Sequence, residues 1–191
     1  MHLHDRFAEF LSASEIIEAT PALLNDQRRR FVSSPDIVLQ PNSVESVQKI
    51  MRFCFENRIR VTPQGGNTGL CGATVTTEGV LLNLSKLNRI RDINLADNSM
   101  TVEAGVILQN AQNVATEAGR LFPLSLASEG SCQIGGNIAC NAGGLNVLRY
   151  GSMRDLVLGL EVVLPNGELV SHLKPLHKNT TGYDLRHLFI G

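Results

Sequence analysis

The sequence predicts an α+β fold of two subdomains, a small parallel βαβ part followed by a larger, mainly antiparallel sheet with helices. Three observations predict it. Ile37-Val38-Leu39-Gln40, an amphipathic stretch from Val44, and Arg60-Val61-Thr62 give strand, helix and strand within about thirty residues, the signature of a βαβ unit with parallel strands. Further along, Pro165-Asn166-Gly167 separates two apolar runs and signals a hairpin. The chain of 191 residues is 43% hydrophobic and 18% charged, against roughly 25% charged in an average domain. It therefore folds as one domain or as two small subdomains sharing a core.

The elements follow in order. Residues 1–34 read as a polar helical lead-in, with Gln27-Arg28-Arg29-Arg30 as a solvated helix end. Pro41 stops the strand at 37–40, and Ser43 caps a helix that puts Val44, Val47, Ile50, Met51 and Cys54 on one stripe. Glu45 and Lys49 add an i,i+4 pair on its other face. After the strand at 60–62 comes Pro63-Gln64-Gly65-Gly66-Asn67-Thr68-Gly69-Leu70-Cys71-Gly72, at the C-terminal strand end where open α/β sheets place ligands. Val80–Leu84 reads as a buried strand. Ile90–Asn94 and Met100–Ala104 read as a strand pair joined at Ala96-Asp97-Asn98-Ser99. Ile107, Ala111, Val114, Ala115 and Ala118 mark a helix stopped by Gly119. A second glycine-rich stretch runs from Gly130 to Gly144, and the runs Leu156–Leu164 and Glu168–Ser171 form the hairpin.

Several function classes are excluded. Seventeen basic against 18 acidic residues leave no electrostatic footprint for nucleic acid, and no Trp with two Tyr leaves few stacking platforms. No apolar run reaches the ~20 residues of a membrane helix. Met1–Glu9 lacks a secretory layout and carries acids, so a cytoplasmic location is expected. The sequon matches at Asn83 and Asn179 then carry no meaning. Cys54, Cys71, Cys132 and Cys140 fit no zinc spacing and read as reduced packing residues. His2, His4, His172, His177 and His187 make no ligand pair at useful helical spacing. Ser46-Val47-Gln48-Lys49 matches SxxK, but a solvated helix face explains it better.

The two glycine segments hold nine of the 17 glycines in 23 positions. Two tight surface turns would be the plainer account. Against it, the intervening residues are neutral hydrogen-bonding side chains (Asn67, Thr68, Ser131, Gln133, Asn137, Asn141) beside apolar Leu70, Ile134 and Ile138. Residues 61–79 and 121–148 contain no Lys or Arg, where the chain average gives about four. Neither GxxxxGK[ST] nor GxGxxG occurs, so P-loop and ordinary Rossmann sites are unsupported. A neutral, glycine-lined groove whose main-chain N–H groups hold a bulky diphosphate remains, and flavin adenine dinucleotide (FAD) fits that description.

Pro63–Gly69 resembles the first pyrophosphate loop of FAD-binding domains of the PCMH, or vanillyl-alcohol-oxidase, type, and Gly130–Gly144 resembles their second flavin loop. Arg149-Tyr150-Gly151, Gly159–Leu164 and Asn179–Leu185 follow in the family's order. The nearest branch is the D-2-hydroxyacid dehydrogenases acting on D-2-hydroxyglutarate, D-lactate or glycolate, and the likeness covers residues 35–191. It implies that Pro63, Gly65, Gly66, Asn67, Thr68, Gly69 and Leu70 wrap the pyrophosphate. Pro123, Gly130, Ser131, Ile134, Gly135, Gly136, Asn137, Asn141 and Gly143 would line the flavin and its ribityl chain, with Glu161 and Val162 near the adenosine end. Asn67 stands where some relatives carry a flavin-linking histidine, which implies non-covalent FAD. Cys140 stands where close relatives often have a hydroxyl residue.

The resemblance further implies oxidation of a small D-2-hydroxy acid to a 2-oxo acid, with hydride passing to flavin N5 and electrons then leaving to an unassigned acceptor. In the family the substrate domain, catalytic histidines, substrate arginine and metal ligands follow the motif at Leu188–Gly191. No catalytic residue and no metal ligand is therefore assigned within residues 1–191. The alternatives are an oxidase or reductase of the same fold, or an FAD-binding subunit or fragment without activity of its own.

Overall fold

The computed structural model describes residues 2–191. The chain forms two compact units, one of Met1–Leu87 with Val163–Val170, the other of Asn88–Val162 with Ser171–Gly191.

In the first unit, α1 (Leu3–Ala8) leads to β1 (Ile16–Ile17), α2 (Pro21–Leu24), β2 (Ile37–Leu39), α3 (Val44–Glu56), β3 (Val61–Gln64) and β4 (Val80–Asn83). The sheet order is β1-β2-β4-β3. β4 lies between β2 and β3 and is parallel to both, with Ile37 opposite Val80 and Gln64 opposite Asn83. Both strands of the expected βαβ unit are thus parallel, but not adjacent. β4 is buried throughout, which explains its unbroken Val-Leu-Leu run. In α3, Ser43 Oγ accepts from Ser46 N at 3.1 Å, and Val47, Ile50 and Cys54 turn into a core with Phe7, Leu39 and Leu82.

The lead-in differs from the helical expectation. α-Helix occupies only Leu3–Ala8 and Pro21–Leu24, with a 3₁₀ turn at Ala13–Glu15, while the β-branched pair Ile16-Ile17 adds an antiparallel edge strand to β2. Buried Glu15 fixes this edge. Burial would raise its pKa, but hydrogen bonds from Ser46, Ser12 and Asn42 outweigh that and keep the carboxyl below its ordinary range. The arginine run is not a helix end: α2 stops at Leu24, and residues 26–31 form a turn.

The second unit begins with the antiparallel pair β5 (Ile90–Asn94) and β6 (Ser99–Val102). Then come α4 (Leu108–Glu117), α5 (Ile134–Ala139), α6 (Val147–Tyr150) and α7 (Met153–Leu156). β7 (Leu160–Val163) and β8 (Leu169–His172) form the hairpin, whose Val163–Val170 stretch belongs to the first unit, and β5-β6 and β7-β8 are two separate two-stranded ladders. Val106, Leu108, Ala111, Leu124, Cys132, Ile134 and Met153 make the core. Glu103, 2% exposed in its side chain, accepts from Arg89 N and from the guanidinium groups of Arg89 and Arg91. Burial alone would raise its pKa, yet these donors hold it below the ordinary value.

Candidate functional site

The first glycine segment leaves the C-terminal end of β3, where Gln64 is 2% exposed. Gln64 Oε1 accepts from Asn83 Nδ2 at 3.2 Å, and its Nε2 donates to Leu23 O at 2.9 Å. Asn67 adopts φ +53°. It donates from Nδ2 to Asn25 O at 2.7 Å and Ala22 O at 3.3 Å, and accepts from Thr74 Oγ1 at 2.8 Å. Side chains therefore anchor the segment, while the main-chain N–H groups of residues 65–74 donate to no protein acceptor among the described residues. Such groups must meet water or a ligand. A row of consecutive N–H donors on a loop is an anion cradle. Pro63, Gly69 and Leu70 are exposed, and Gly65, Gly66, Asn67 and Thr68 are half-buried.

The second segment is built differently. Its middle is α5, whose first N–H groups are already engaged: Ile134 N donates to Val106 O at 2.9 Å and Gly135 N to Ala104 O at 2.8 Å. Ile134 is buried in the core, and a Cβ at Gly135 would lie 2.7 Å from Ala104 Cβ. Close packing against Ala104 thus explains that glycine. Gly136 is exposed, has no main-chain acceptor for its N–H, and faces open space with no atom within 4 Å of a Cβ placed there. Asn137, 5% exposed, carries a buried Nδ2 without a partner, and Gln133, 7% exposed, a buried Oε1 without one. Unsatisfied buried amides cost about 1–3 kcal/mol each. One helical turn apart, they offer a donor and an acceptor to a bound group. The sequence places Asn137 in the site and reads Gln133 only as one of the neutral hydrogen-bonding residues beside the glycine pair.

The other expected residues take structural partners too. Asn141 (φ +47°) accepts on Oδ1 from Arg154 N at 2.9 Å, and Pro123 O accepts from Asn146 Nδ2 at 2.9 Å. Gly130, Ser131 and Gly143 are exposed, and Ser131 N donates to Ser128 O at 2.9 Å. Glu161 accepts from Arg91 Nη1 at 2.8 Å, and Val162 is half-buried beside it in β7.

FAD asks for neutral donors around a diphosphate and for hydrogen-bonding groups around a flavin. Taken by itself, the first unit meets the first demand with its unengaged N–H row, and the second unit meets the second with the open face at Gly136 and the unpartnered amides of Gln133 and Asn137. A family model described as the FAD binding domain matches residues 35–172. The chain belongs to this family. FAD is its cofactor. It is 42% identical to D-2-hydroxyglutarate–pyruvate transhydrogenase of Saccharomyces cerevisiae in an alignment that covers 97% of this chain and 38% of that protein. It is 46% identical over 167 residues to D-2-hydroxyglutarate dehydrogenase of Xanthomonas citri, covering 87% of this chain and 35% of the relative. The chain thus spans little more than a third of the length of these relatives. Among solved structures, alkyldihydroxyacetonephosphate synthase superposes with a TM-score of 0.83 over 98% of this chain and 36% of its own, at 16% identity, which establishes the fold alone. Among the described residues no helix is long and apolar enough to cross a membrane, and no group of three or more His, Cys, Asp or Glu is placed to hold a metal ion.

Proposed function

We propose that this chain is the FAD-binding part of a flavin-dependent dehydrogenase that oxidises a D-2-hydroxy acid, with D-2-hydroxyglutarate the first candidate. The observation that carries the cofactor half is the unengaged N–H row of residues 65–74, anchored from behind by Gln64 and Asn67. The names of the two relatives support the substrate half.

In this reading the main chain of Gly65–Gly69 takes the diphosphate, and Leu70 shields it from water. Gly136, Asn137 and Gln133 orient the flavin half. FAD supplies the two-electron acceptance that no side chain offers. Binding is non-covalent, because Asn67 has no nucleophilic atom and its amide is committed to Asn25 and Thr74.

The test is a titration of the purified protein with FAD, followed by flavin fluorescence and by absorbance after gel filtration. Acid precipitation should then leave all flavin in the supernatant. The full-length protein should reduce an artificial dye with D-2-hydroxyglutarate in preference to its L-enantiomer. A protein that binds no FAD sinks the cofactor reading, and dye reduction with neither enantiomer sinks the substrate reading.

A further inference from the structure

The first glycine segment carries no Lys or Arg, yet the turn fastened to it carries three arginines in succession. Asn25 pairs with Val32 and closes the turn. Inside it, buried Asp26 accepts from Arg28 N at 3.2 Å, Arg30 N at 2.6 Å and Phe31 N at 2.8 Å. The Phe31 N–H above all holds the Asp26 carboxyl below the usual aspartate range. The carboxylate's hydrogen bonds thus come from main chain; the Arg30 charge also favours its ionised form, but no guanidinium of Arg28, Arg29 or Arg30 makes an ion pair within 4.0 Å among the described residues. Arg28, Arg29 and Arg30 are all exposed. Arg29 sits at φ +54°, a left-handed conformation uncommon for a residue with a Cβ.

Two contacts attach this turn to the N–H row. Asn67 Nδ2 donates to Asn25 O at 2.7 Å, and the Phe31 ring lies 3.5 Å from where a Cβ on Gly72 would stand. Arg28 is three residues from Asn25, so its Cα lies within about 10 Å of that anchoring carbonyl. That is about one Debye length at 0.1 M salt. A turn carrying three arginines against one carboxylate is therefore fastened to a cradle that itself holds no Lys or Arg.

We propose that the Arg28-Arg29-Arg30 turn is the cationic element of the dinucleotide site. It attracts and retains the diphosphate by its field, while the main chain of 65–74 makes the contacts. This rests on the FAD reading above and assigns a role to a segment outside both glycine loops.

The test compares the parent protein with Arg28→Gln/Arg29→Gln/Arg30→Gln and with the corresponding triple Lys variant. FAD and phosphate-free riboflavin are the two probes, titrated from about 10 mM to 0.5 M salt. The Gln variant should bind FAD about tenfold more weakly at low salt, with the gap closing as salt rises. Riboflavin affinity should be equal in both proteins, and the Lys variant should match the parent, because a field needs charge rather than guanidinium geometry. Unchanged FAD affinity at low salt, a gap indifferent to salt, or an equal loss of riboflavin overturns the proposal. If the parent binds riboflavin and FAD equally well, the flavin reading stands and the arginine role falls. If it binds neither, both fall.

Discussion

Adjacent glycines in α5 should respond to the same substitution in opposite ways. At Gly136 an added methyl meets no atom within 4 Å and the backbone is helical, so Gly136→Ala removes conformational freedom from the unfolded chain without a packing cost. The expected effect is a gain of about 0.5–1 kcal/mol. At Gly135 the same methyl lies 2.7 Å from Ala104 Cβ and 3.0 Å from Ala104 O, well inside the ~3.5–4.0 Å of good contact. Relief requires α5 to move off residue 104, straining the 2.8 Å bond from Gly135 N to Ala104 O. Overpacking of about 1–3 kcal/mol set against that helical gain leaves a net loss of about 1 kcal/mol. Cofactor affinity should run the other way. Gly136→Ala places a methyl over the open face and an unengaged N–H, and should weaken FAD binding by tenfold or more, about 1.4 kcal/mol. Thermal melts without FAD and fluorescence titrations with it separate the two effects. A destabilised Gly136→Ala protein, or one that binds FAD like the parent, refutes the assignment of that face to the cofactor. A Gly135→Ala protein as stable as the parent refutes the role of Ala104.

Two further outcomes are expected. Cys71 and Cys140 are exposed, whereas Cys132 is buried and burial pushes the Cys54 thiol up to about 11, so a thiol reagent should titrate two of the four cysteines in the native protein and all four in denaturant. The Glu103 carboxyl lies below its ordinary 4.5, so its contribution to stability is present above that pH and is lost as pH falls through the lower folded value. Denaturant melts should show Glu103→Gln costing about 1–3 kcal/mol at pH 7 and less at pH 3, a convergence the parent alone cannot mimic.

The parts of the molecule that were legible are those whose signal is local. Val80-Leu81-Leu82 is apolar because both faces of β4 are covered, and Ser43 heads its helix because a hydroxyl satisfies an orphan N–H. The glycine segments stood out by composition, small and uncharged in one run, although close packing on Ala104 rather than an open cradle explains Gly135. What stayed hidden depends on pairings across long separations. Ile16-Ile17 is a strand only because β2 offers it an edge, 23 residues away at Ile16–Leu39. The arginine turn gains meaning only through the bond from Asn67 to Asn25, and nothing in Gln27–Arg30 itself announces that neighbour. Gln133 was legible as a neutral hydrogen-bonding residue but not as a site residue, because sequence does not say whether an amide is buried with or without a partner.

The two glycine segments are built by opposite means. In the first, side chains hold the loop and the main-chain donors remain unengaged; being half-buried to exposed, they are hydrated when no ligand is bound. In the second, the first N–H groups of α5 are tied to residues 104 and 106, and the unengaged groups include buried side-chain amides. A hydrated N–H row costs little in the free protein and loses water on binding, so it contributes chiefly charge complementarity. A buried unpartnered amide is already desolvated, so its hydrogen bond to a ligand comes without a second desolvation cost. Replacing Gln133 with Met should therefore stabilise the free protein while weakening its hold on the flavin half. Trimming donors from the first segment should affect phosphate-bearing ligands alone.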